Sequence, residues 1–141
     1  MTWEDRSIEH SIAEQHRRLD AMFEESLVAL REGEAPEAIR GAFERLREAL
    51  ESHIDQEDRL YYPPLRALRP AHRSVLDGLA VAHDDFRTRL EEIDARLGAR
   101  DLGDAERALG AFSEAFAEHE AAEEQLLARI DAELSATASN G

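Results

Sequence analysis

The chain holds two copies of the pattern His-x-x-x-Glu, His53 with Glu57 and His119 with Glu123, and two further histidines, His16 and His83, one ahead of each pair. Residues four apart on a helix lie above one another, so each pair aims an imidazole and a carboxylate into one volume. All six stand where the surrounding rhythm asks for leucine or phenylalanine. Burying such groups without partners costs roughly 2–7 kcal/mol for a neutral polar group and more for a charge. A metal ion is the usual partner of converging imidazole and carboxylate, and zinc or manganese suits this set as well as iron does. A lone histidine on an apolar seam is more often a hydrogen-bonded core residue. Four of them, two with a carboxylate one turn away, point to metal, and a buried polar network is the alternative.

The elements that must position these residues are helices. Apolar residues recur at spacings of three and four throughout, with no strand-like alternation. The seams read Ile8, Ile12, His16, Leu19, Phe23; then Leu50, His53, Glu57, Leu60, Leu68; then Leu79, His83, Phe86; then Phe116, His119, Glu123, Leu126. Gly33 and Pro36 mark the first turn, Pro63, Pro64 and Pro70 punctuate the middle, and Gly98 and Gly103 flank the last loop, with Asp104 available as a cap. Short loops force neighbouring helices antiparallel. The expected fold is all-α: an up-down-up-down antiparallel four-helix bundle forming a single domain over residues 1–134, with a frayed tail over 135–141.

Counting from the turns places the six at one depth. Glu57 and His83 each lie 13 residues from Pro70, and His83 and His119 each lie 18 from residue 101. The halves also repeat: His83 follows His16 by 67 residues, while His119 follows His53 and Glu123 follows Glu57 by 66. Each half is a helical hairpin with one lone histidine and one His-x-x-x-Glu pair, related by a pseudo-twofold axis. Two matching triads suggest two metal ions. Among neighbouring acids, Glu120 is the best additional ligand, and Asp58 and Glu124 are further candidates as ligands or as partners of the ligands. His10 and His72 lie off the seams and read as surface residues. Tyr61 falls on nearly the same face as His53 and reads as packing at the bundle end with a wet hydroxyl.

Composition narrows the chemistry. The 141 residues include no cysteine, which excludes thiolate metal sites and thiol catalysis, and no lysine, which excludes Schiff-base and P-loop lysines. A formal net charge of −15 disfavours nucleic acid and anionic membrane surfaces as partners. No apolar run approaches the ~20 residues of a membrane span, and the acidic start lacks an apolar signal segment, so the expected location is cytoplasmic.

Over residues Ile8 to Leu134 the chain resembles the hemerythrin-like, or HHE cation-binding, domain family. The resemblance rests on Gln15-His16-Arg17, His53-Ile54-Asp55-Gln56-Glu57, Ala82-His83-Asp84 and His119-Glu120-Ala121-Ala122-Glu123 in that order. It implies a non-haem di-iron centre with two irons bridged by carboxylates and an oxygen species. His16, His53, His83 and His119 would then be terminal ligands, and Glu57 and Glu123 bridging ones. The oxygen-carrying members place a second histidine one turn from that of the third helix, where this chain has Leu79 and Arg87. They also place the second carboxylate five residues after its histidine, which here is Glu124. One histidine fewer leaves an open position or admits Glu120. That shifts the implied role from reversible oxygen storage toward sensing, peroxide turnover or iron handling, with O2 or peroxide as the small ligand. The alternatives are a non-catalytic zinc or iron module with a structural or sensing role, and a metal-free interaction scaffold.

Overall fold

A computed structural model describes the backbone of residues 3–140 and the side chains of residues 8–136. Every described element is helical: α1 (Trp3–Arg31), α2 (Pro36–Gln56), a π-helical turn (Glu57–Tyr61), α3 (Tyr62–Leu68), a 3-10 turn (Pro70–His72), α4 (Arg73–Gly98) and α5 (Leu102–Asn140). Helix α1 packs on α2 and α5, and α4 packs on α5 and α2, so the long helices form a bundle. Residues past Leu134, expected as a tail, continue α5 to Asn140, since no Pro or Gly interrupts the stretch.

The turns follow from local chemistry, with two departures from expectation. Gly33 takes the left-handed conformation (φ 63°) that ends α1, as its lack of a Cβ allows. After α4 it is Arg100, not a glycine, that turns left-handed (φ 61°). Its N–H bonds back to the Leu97 carbonyl and that of Asp101 to the Arg96 carbonyl. The cap of α5 is Asp101, whose Oδ1 lies 3.4 Å from the backbone N of Asp104; Asp104 supplies the donor instead of the cap.

The π turn matters most for the centre. The backbone N–H of Tyr62 bonds to the carbonyl of Glu57, five residues back. Pro63 and Pro64 lack an N–H, and their rings clash with the carbonyls four residues earlier, so a regular α-ladder cannot run through them. The π turn inserts one residue and advances the buried seam from Glu57 to Tyr62 and Leu65, both buried. Leu60 and Leu68, expected on the seam, are instead 61% and 40% exposed.

Two apolar clusters fill the bundle. One runs from Leu19 and Phe23 to Leu97 and Leu109 and includes Phe86, Phe112 and Phe116. The other gathers Ile12, Tyr62, Leu65, Leu76, Leu79, Leu126, Leu127 and Ile130. On α1, α4 and α5 the singled-out polar residues fall between the two clusters: His16 between Ile12 and Leu19, His83 between Leu79 and Phe86, His119 and Glu123 between Phe116 and Leu126. Glu57 falls between Ile54 and Tyr62, and His53 lies just before Ile54 at the edge of the first cluster.

Candidate metal centre

All six residues are buried, with Glu57 and His83 fully so. One donor atom each from His16, His53, Glu57 and Glu123 lie within 4.8 Å of one another, and so do those of Glu57, His83 and His119. Each carboxylate stands between histidines of both halves. Glu57 Oε1 is 3.3 Å from His53 Nε2 and 3.1 Å from His83 Nε2. Glu123 is 2.8 Å from His16 Nε2 through Oε1 and 3.8 Å from His119 Nε2 through Oε2. The histidine rings pair edge-on, His16 with His53 at 5.4 Å and His83 with His119 at 5.3 Å.

The outer nitrogens fix which way the rings present themselves. His53 Nδ1 donates to Gln15 Oε1 at 2.5 Å, His83 Nδ1 to Asp58 Oδ1 at 2.9 Å, and His16 Nδ1 to Glu124 Oε1 at 3.0 Å. With Nδ1 engaged outward, Nε2 faces the shared volume, the arrangement that orients histidine toward a metal. Asp58 and Glu124 thus stand on the outer side of the rings. Glu120 is buried with its Oε2 3.6 Å from His16 Nδ1, also on the outer side, and falls in neither convergent group.

Among the six residues three buried atoms have no hydrogen-bond partner, His53 Nε2, His119 Nε2 and Glu57 Oε2, and on the outer side Glu120 Oε2 has none either. Each such orphan costs about 1–3 kcal/mol. Nitrogen and oxygen donors left open toward one another fit a cation of the zinc, manganese or iron type.

Protonation is uneven across the layer. Burial raises Glu57, but hydrogen bonds from Glu123, His53 and His83 outweigh it and hold this carboxyl well below its usual range. Burial and the neighbouring Glu57 push Glu123 well above. Burial opposes a charge on His16, yet Glu123, Glu124 and Glu120 carry it up to about 9. Burial takes His119 down to about 4, and burial with the Asp20 hydrogen bond takes Glu120 up to about 8. The layer therefore stores protons that a bound cation would displace.

Sequence reasoning missed Tyr62. Its hydroxyl donates a short hydrogen bond to Glu123 Oε2, and its ring stacks on His83 at 5.7 Å. Burial and the two carboxylates raise its pKa, so it stays a phenol. Only the prolines after it hinted at a register change. Tyr61, displaced by the π turn, bonds to Ser11, Gln15 and Gln56 at 3.1–3.3 Å. His72, expected at the surface, is buried because the 3-10 turn carries its ring against α5. There its Nε2 lies 2.8 Å and 3.0 Å from the Glu133 carboxylate oxygens. His10 is exposed, as expected.

Phenylalanines wall the centre. Phe116 lies 6.1–6.3 Å from the rings of His16, His53 and His119, and Phe86 lies 4.9 Å from His119 and 6.2 Å from His83. Phe112 packs one layer behind, against Phe23, Phe86 and Phe116.

Fold and site together define a class: helical bundles whose buried histidines and glutamates can hold metal. The family model for the hemerythrin HHE cation binding domain matches residues 7–130, and the chain belongs to that family. No curated protein and no solved structure matches it significantly. No helix among the described residues is long and apolar enough to cross a membrane.

Proposed function

We propose that this is a cytoplasmic di-iron protein that handles O2 or peroxide within the core of an up-down-up-down bundle, its two hairpins related by a pseudo-twofold axis. His16, His53, Glu57, His83, His119 and Glu123 would hold the metal, the histidines offering neutral nitrogens and the glutamates the charge. The observation that carries the reading is the set of buried donors facing one another with three atoms unpartnered. Iron held there supplies two-electron redox chemistry toward a small oxygen ligand.

The chain's own residues do the rest. Gln15, Asp58 and Glu124 hold the imidazoles with Nε2 inward. Tyr62 donates its hydroxyl to Glu123 Oε2, and Phe86 and Phe116 exclude water from the histidine edges. One turn either side of His83, where the oxygen carriers resembled by this chain place a second histidine, Leu79 packs in the apolar cluster and Arg87 pairs with Asp58 and Asp84. This favours turnover or sensing over reversible storage. Nucleic acid and membranes are not partners in this reading.

Metal analysis by mass spectrometry and a visible spectrum of freshly purified protein test it. Two irons per chain with visible bands that shift on adding azide or peroxide are expected; a colourless protein with stoichiometric zinc would overturn it. Peroxide consumption lost in His53→Ala and kept in His10→Ala marks an enzyme. Metal bound without turnover marks the non-catalytic zinc or iron module, which the same donor set also suits.

A further inference from the structure

A cavity of about 120 Å³ lies between α1 and α2, with His53 among its buried lining. Arg18 and Ser52 form an exposed rim, while Leu19 and His53 at the bottom are buried. Gln15 and Gln56 line the wall with side-chain amides. The volume holds roughly four waters at about 30 Å³ each, so a guest has roughly two to four non-hydrogen atoms. Arg18 forms no ion pair among the described residues and leaves a guanidinium free at the mouth of an otherwise acidic protein. Such a cleft attracts small anions and polar molecules and rejects bulky organic substrates.

One side chain ties the cavity wall to its buried end. Gln15 Oε1 accepts from His53 Nδ1 at 2.5 Å, while its Nε2 donates to Gln56 Oε1 at 2.9 Å and to the Tyr61 hydroxyl at 3.2 Å. Gln15 therefore ties α1 to α2 along the cavity wall and holds His53, the one residue that both lines the cavity and belongs to the convergent donors. A rotation of this side chain breaks three hydrogen bonds and uncovers the His53 edge.

We propose that this cavity is the docking site and entry port for a small polar ligand of peroxide or azide size, with Gln15 as its inner gate. The proposal rests on the di-iron reading only for what the ligand meets at the end of the path. The rim and the amides select the ligand by charge and size before it reaches the centre, and the gate lets it through without opening the helices.

Azide is the probe. In metal-free protein, titration should shift the side-chain NH2 resonances of Gln15 and Gln56 in nuclear magnetic resonance spectra, and Ser52→Trp, filling the cavity from its exposed rim, should abolish the shifts. In iron-loaded protein, stopped-flow absorbance should show azide association at least about tenfold slower in Ser52→Trp, with iron content unchanged, and faster in Gln15→Ala. Ala49→Leu fills the same space from the half-buried wall and serves should Ser52→Trp fail to fold. Unshifted glutamine resonances, or association rates unchanged in the filled variants, would overturn the port. If the wild type takes up no metal, the di-iron reading falls, and the metal-free titration still decides the port.

Discussion

The two halves of the centre match in the spacing of their ligand candidates and are unequal in chemistry. The ligand candidates repeat, and so does one outer partner: Asp58 on His83 has its counterpart 66 residues on in Glu124 on His16. Three other positions do not repeat. Tyr62 corresponds to Ala128, Gln15 to Ala82, and Ile54 to Glu120. The first difference gives Glu123 a phenol donor. The second leaves His119 with no hydrogen bond on its ring among the described residues, whereas His53 has Gln15. The third puts a carboxyl where the first half has a fully buried isoleucine. The repeated spacing sets where the donors sit, yet their charges differ: Glu57 is the anion, burial and Glu57 keep a proton on Glu123 against the Tyr62 donor, the carboxylates around His16 make it easily protonated, and burial keeps His119 neutral. Two metals in such a layer would not be equivalent.

The largest break in the comparison lies at Glu120, because its carboxyl is buried and pushed from the ordinary 4.5 to about 8. A group with a raised pKa contributes stability in full below its unfolded value and loses it as pH rises through the folded one. Glu120 therefore costs the metal-free protein stability from pH 4.5 to about 8, and His16 does so from 6.5 to about 9. Metal-free wild type should melt at progressively lower temperature across that window. Glu120→Gln should flatten the Glu120 part, a swing of up to about 4 kcal/mol between pH 5 and pH 9 in chemical denaturation. Parallel pH curves for the two proteins would show that Glu120 is not the source of the inequality.

Tyr62→Phe comes next. Removing the hydroxyl leaves Glu123 Oε2 without its donor in a buried layer, which costs about 1–3 kcal/mol. Denaturant midpoints at pH 7 should fall accordingly in the metal-free protein, while Tyr61→Phe, whose hydroxyl serves Gln15 and Gln56, should cost less than half as much. Equal losses would mean that the π turn does not distinguish the two tyrosines energetically.

That pair also marks how far the sequence could be read. The helical class and the six buried donors were legible because both rest on a period of 3.6 that holds through α1, α4 and α5, and through α2 as far as Glu57. The register beyond Glu57 was not, because a π turn changes no residue's type and leaves only the prolines after it as a trace. One inserted residue exchanged Tyr61 for Tyr62 at the centre and turned Leu60 and Leu68 outward. His72 was missed for a related reason: a 3-10 turn has no seam, so its burial against α5 depends on a tertiary contact with Glu133. The outer partners Gln15, Asp58 and Glu124 are exposed or half-buried polar residues, and only the packed helices assign each to a ring.

The smallest effect sharpens the comparison most directly. Ala82 stands where the first half has Gln15, half-buried against the core beside the His83 helix turn. Ala82→Gln offers His119 the amide partner that His53 already has. An amide oxygen accepting from Nδ1–H favours the protonated ring over the bare one, so the His119 pKa should climb from about 4 toward the ordinary 6.5. A rise of one unit corresponds to about 1.4 kcal/mol between the two protonation states, and the ring resonances of the metal-free protein followed against pH would show it. Because burial is the largest cause of the depression, a partial rise is expected. Were the pKa to stay near 4, the outer partners would have no part in making the halves unequal, and burial alone would set the difference.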